Sequence, residues 1–136
     1  MPGLRCSRVA ASVCACILAL AACGGGNGES LVAEESLRDC LAAADLEIQA
    51  PQATAGAGLG NVSPDFRAIT TGGVPVDLIV QNSDAKARRS AADIRAALQS
   101  FGVASTEVVS RRNAIAVIGG AASEADLGAI ERCLGG

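Results

Sequence analysis

The apolar positions of this chain change period several times after residue 30, and each change marks an element. Leu37, Cys40, Leu41 and Ala44 recur every three to four residues, which predicts a helix over residues 30–46 with one apolar stripe. Its first turns carry Glu34 and Glu35, where the helix dipole favours acids. Ala87, Ala91, Ile94, Leu98 and Phe101 form a second stripe. Asn82-Ser83-Asp84 offers an N-cap and Gly102 a C-terminal stop. A third stripe, Leu127, Ile130 and Leu134 with Cys133 beside it, follows Ser123-Glu124-Ala125-Asp126, a capping-box pattern.

Between the helices the period drops to two. Val74, Val76, Leu78 and Val80 alternate with Pro75, Asp77, Ile79 and Gln81, so residues 74–81 read as a strand with two faces. Residues 66–70 form its hairpin partner through Gly72-Gly73. Pro75, which lacks an N–H, belongs at a strand start or on an edge. Residues 103–110 and 114–118 make a second hairpin around Arg111-Arg112-Asn113, with Asn113 the residue that tolerates positive φ. Residues 50–60, rich in glycine and alanine, read as a loop. Gly56-Ala57-Gly58-Leu59-Gly60 lacks the strand before and the helix after it that a phosphate-binding turn needs.

The order α-β-β-α-β-β-α repeats a hairpin-then-helix unit. It predicts an α+β domain of ferredoxin-like type: a four-stranded antiparallel sheet with its helices on one face. The middle helix would supply a right-handed crossover between the hairpins. Asp77 would then point to the uncovered face, where alternating polar residues are ordinary.

The N-terminal pattern is of another kind. Arg5 and Arg8 precede an apolar run over residues 9–22. A spanning helix needs roughly 20 apolar residues, so the run is too short to cross a bilayer. A charged start, an apolar middle and small residues at the end describe a secretory signal. Leu20-Ala21-Ala22-Cys23 resembles the lipobox of bacterial lipoproteins. The resemblance covers residues 1–23 only. It implies that residues 1–22 are removed, that Cys23 becomes the lipidated first residue, and that the protein sits in the bacterial cell envelope, held to a membrane on the exported side. Residues 23–30, with Gly24-Gly25-Gly26-Asn27-Gly28, then read as a flexible tether of about 15 Å typical reach. Residues 31–136 read as one small domain.

Cysteine and charge follow from that division. Cys6, Cys14 and Cys16 lie in the removed segment, where they serve as small hydrophobes. With Cys23 lipidated, Cys40 and Cys133 remain, and an exported compartment lets them pair. The chain has 11 Lys and Arg against 14 Asp and Glu. Without Arg5 and Arg8 the balance is −5. Such a chain is a poor partner for nucleic acid and, taken as a whole, for anionic lipid.

No histidine occurs, nor any tryptophan or tyrosine. The usual general base is therefore missing, and no Ser-His or Cys-His pair can form. Helix-start acids such as Asp84, Glu124 and Asp126 are accounted for as caps and dipole partners. The positions left for a binding role are Asp77, in a strand, and Arg111 and Arg112, at a hairpin tip, since arginine holds carboxylates and phosphates in bidentate fashion. Arg88-Arg89 is the other basic pair. No cofactor or metal is implied. The domain is expected to be a non-catalytic binding or protein-interaction module. The competing reading is a hydrolase built from carboxylates and arginine, which requires two acids converging within about 9 Å in one concave site.

Overall fold

The computed structural model describes residues 30–51 and 62–136. They form three helices, α1 (Glu34–Ala43), α2 (Asp84–Ser100) and α3 (Glu124–Gly135). The strands are β1 (Glu47–Gln49), β2 (Phe66–Ile69), β3 (Pro75–Val80), β4 (Glu107–Arg111) and β5 (Ala114–Ile118). All neighbouring strands are antiparallel, in the order β1-β2-β3-β5-β4. The α+β class and both hairpins agree with the pattern of the chain. The sheet has five strands rather than four. The added strand, β1, lies between the end of α1 and residue 50, too short to show a period of its own.

The helices do not share one face. Leu37 and Leu41 of α1 and Ile130, Cys133 and Leu134 of α3 pack on Phe66, Ala68, Val76, Leu78, Ala116 and Ile118. Ala87, Ala91, Ile94 and Leu98 of α2 pack on Ile79, Ile115 and Val117, which point the other way. The fold is therefore three-layered, with α1 and α3 on one side and α2 on the other, in place of the expected one-sided ferredoxin-like sandwich. The reason lies in β5. Its run Ala114-Ile115-Ala116-Val117-Ile118 is buried at every position, and a strand apolar on both faces needs cover on both. β3 and β4 run parallel with β5 between them, so α2 must cross the sheet to join them.

Backbone accounting explains the helix bounds. Residues 30–33 stay non-helical because both backbone groups of Val32 are bonded to Asn113. Beyond the end of α1 the chain turns at Asp45, at φ 64°, where Asp45 N–H donates to Ala42 C=O and Leu46 N–H to Leu41 C=O. α2 ends the same way: Gly102 takes φ 68°, Gly102 N–H donates to Gln99 C=O and Val103 N–H to Leu98 C=O. Both are Schellman caps, which turn the chain back with a left-handed residue. Because Val103 closes this cap, β4 begins later than the apolar pattern suggests. Ser83 and Ser123 cap α2 and α3, accepting from Lys86 N–H at 3.2 Å and Asp126 N–H at 3.1 Å.

Cys40 and Cys133 form a disulfide with Cα atoms 5.6 Å apart. It joins α1 to α3 on the same side of the sheet. Cys133 is buried, but Cys40 sits on the exposed flank of α1, so only one of the two cysteines lies in the core. Leu37 and Leu41 occupy the centre of the stripe, and Cys40 is turned about one residue's rotation away from Leu41.

Candidate functional site

The second hairpin and its surroundings assemble the densest basic cluster of the described residues. Arg111 pairs with Ala114 across the end of the ladder, leaving Arg112-Asn113 as a two-residue connection. The residue with positive φ there is Arg112, at 50°, and not Asn113. Asn113 is locked by its side chain instead. Its Oδ1 accepts from Val32 N–H at 2.7 Å, and its Nδ2 donates to Val32 C=O at 3.0 Å and Gln81 C=O at 2.8 Å. A buried amide with its oxygen and both N–H groups engaged resists rotation. It ties the start of the domain and the exit of β3 to the hairpin tip.

Arg111 and Arg112 then line a shallow cleft of about 370 Å³ with Asp84, Arg88, Ser110 and Gly135. Arg88 reaches it from the first turns of α2, paired with Asp84 at 2.7 Å. Arg111 lies 3.9 Å from Glu131 of α3. The Ser110 hydroxyl is buried with no hydrogen-bond partner among the described residues. A neighbouring depression shares Arg111 and Gly135 and adds Arg132. Arg88 and Arg111 are exposed and Arg112 is half-buried. These three guanidinium groups stand against two acids, Asp84 and Glu131, and the surplus favours an anionic group, since a guanidinium can offer two parallel N–H donors to a carboxylate or phosphate. Arg88 shows in the sequence only as half of the basic pair Arg88-Arg89 and Arg132 carries no separate signal, because α2 and α3 bring them to the hairpin only after folding.

Asp77 is not part of this cluster. It lies mid-strand, directly opposite Arg67 of β2. Arg67 Nε donates to Oδ1 at 2.8 Å and Nη2 to Oδ2 at 3.0 Å. The expectation of an open position on the sheet is corrected by its 9 % exposure. Opposite charges at directly paired positions on one sheet face meet across the strands. The hydrogen bonds to Asp77 raise the Arg67 guanidinium above the usual arginine range, burial opposes this, and the Asp77 charge adds to the rise. Arg67 therefore stays charged at every physiological pH.

A second cleft, of about 400 Å³, lies at the far end of α2, lined by Arg95, Leu98, Val103, Glu107 and Val108 among others. Phe101 stands beside it, 66 % exposed. This cleft, the hairpin cleft and two shallower ones each present a single carboxylate. The paired-acid geometry that the hydrolase reading requires is not assembled in any of the four. Among the described residues no group of three or more Cys, Asp or Glu could hold a metal ion. No described helix is long and apolar enough to cross a membrane. Cys23, the apolar run over residues 9–22, the Gly24–Gly28 stretch and the Gly56–Gly60 stretch lie outside the described residues.

Compared with known protein families, curated proteins and solved structures, the chain has no significant match.

Proposed function

We propose that this chain is a lipid-anchored protein of the bacterial cell envelope whose domain binds and does not catalyse. The observation that carries the reading is the pairing of the cysteines. Cys40 and Cys133 are joined to each other, and Cys6, Cys14 and Cys16 fall within the signal. Cys23 is left over, and it stands directly after Leu20-Ala21-Ala22. A disulfide in so small a domain fits an oxidising, exported compartment. A cysteine at that place fits lipid attachment. Two or more acyl chains there would hold the protein stably to the membrane.

The binding role rests on the hairpin cleft. Arg88, Arg111 and Arg112 supply donors for an anionic group, and no histidine or paired acid accompanies them to move a proton. The domain accordingly presents charge and shape and no reactive group.

Mass analysis of the protein from a bacterial membrane fraction tests the anchor. The mature chain should begin at an acyl-modified Cys23. A Cys23→Ala variant should accumulate as full-length precursor. A mature chain that starts elsewhere and partitions into water would overturn the reading.

A further inference from the structure

The chain's basic residues are unevenly placed, and the end where they gather is the end from which the proposed tether departs. Strand directions and registers define two ends of the molecule. The hairpin end holds the β4–β5 turn, the start of α2, the end of α3 and the segment entering α1. Six of the nine Lys and Arg of residues 30–136 lie there: Lys86, Arg88, Arg89, Arg111, Arg112 and Arg132. The acids at that end are Glu34, Glu35, Asp65, Asp84 and Glu131. Glu34 is engaged by Arg38 at 2.8 Å, Asp84 by Arg88, and Asp65 by Val80 N–H at 2.7 Å. The opposite half carries Asp45, Glu47, Asp93, Glu107, Glu124 and Asp126 against Arg95. The net charge of −5 hides a dipole whose positive end is the hairpin.

Val32 is held to that end by Asn113. It follows Cys23 by nine residues, which span at most about 30 Å even when fully extended. Leu31, 56 % exposed, lies beside it. The 17 residues of α2 set the acidic end roughly 25 Å further away. The typical reach of the tether, about 15 Å, is shorter than that distance, so the anchor holds the arginine cluster nearer to the bilayer surface than the acidic end.

We infer that the hairpin end docks on anionic phospholipid headgroups of the membrane to which Cys23 is attached, with Arg88, Arg111 and Arg112 as the contacting residues. This inference rests on the lipid-anchor reading. Phosphodiester groups suit bidentate guanidinium donors, and an anionic surface attracts basic groups within a Debye length while repelling the acidic end. The domain stands on the membrane in one orientation, with Phe101 and the far cleft facing outward.

The absence of tryptophan makes a direct test available. Asn82→Trp reports from the hairpin end and Phe101→Trp from the far end. Each processed lipoprotein is placed in phosphatidylcholine vesicles, with or without 30 % phosphatidylglycerol, and quenched by a headgroup-level quencher. The ratio of quenching at 82 to that at 101 should rise about threefold or more with phosphatidylglycerol. It should fall back in high salt, and in an Arg88→Ser, Arg111→Ser, Arg112→Ser variant whose melting temperature is checked. A ratio indifferent to lipid charge overturns the docking and frees this end for a protein partner. A ratio that favours position 101 reverses the orientation and overturns it too. Vesicles that do not retain the protein at all overturn the anchor itself, a distinct result.

Discussion

Asn113 holds together parts of the chain that sequence separates widely. Its amide satisfies Val32 N–H, Val32 C=O and Gln81 C=O, and its own C=O accepts from Gln81 N–H at 2.7 Å. Removing the side chain strands those groups in a buried site, where each unmet hydrogen bond costs about 1–3 kcal/mol. Asn113→Ala should lower stability by about 3 kcal/mol in urea unfolding. It should also expose residues 30–33 to protease before the rest of the domain. Nothing in the sequence distinguishes Asn113 from an ordinary turn residue. The turn propensity was legible, but the lock depends on a partner 81 positions away. Phe66 shows the same limit. It is fully buried, and Arg38 lies 4.4 Å above its ring, a cation–π contact between two elements that periodicity places but cannot orient.

At the scale of elements, the caps were the most legible features. Ser83, Ser123 and Gly102 occupy the roles their residue types suggest, because capping is settled within a few residues by backbone groups that need partners. Gly102, at φ 68°, and Asp45, at φ 64°, do the same work with different side chains. An L-residue with a Cβ costs about 1–2 kcal/mol in this region. Gly102→Ala should therefore lower stability by about 1 kcal/mol, seen as a fall of roughly 4 °C in Tm. An unchanged Tm would mean that the end of α2 unwinds to a conformation alanine accepts. Strand ends were less legible. Val103 and Ala104 continue the apolar positions of β4 toward the helix, yet the helix cap claims Val103, and the competition is decided by hydrogen bonds rather than by hydropathy.

For the whole molecule, the disulfide is the link between the first helix and the last. It closes a loop of 93 residues, which in the chain-entropy model contributes about 4.6 kcal/mol by restricting the unfolded chain. The core it supports is poor in aromatic residues: the chain has two phenylalanines and neither tryptophan nor tryptophan's smaller relative tyrosine. Net stabilities of small domains are about 5–15 kcal/mol, so the bridge is a large share. Cys40→Ala with Cys133→Ala should cost about 2–5 kcal/mol in denaturant unfolding under oxidising conditions. Two free thiols in a non-reduced digest of the wild-type protein would remove the bridge and this expectation together.

The order of helices and hairpins, the caps, the alternating faces of β3 and the acidic balance could all be read from the chain, because each is set by neighbours within about four residues or by simple counting. The placement of α2 on the opposite face was written only faintly, in the unbroken apolar run of residues 114–118. Choosing a side requires knowing that β5 lies inside the sheet with both faces in need of cover. The fifth strand, the Arg67–Asp77 pair and the gathering of Arg88, Arg111, Arg112 and Arg132 at one end were decided by the tertiary structure. Register, strand order and helix placement bring charges together in space with no mark on their spacing in sequence.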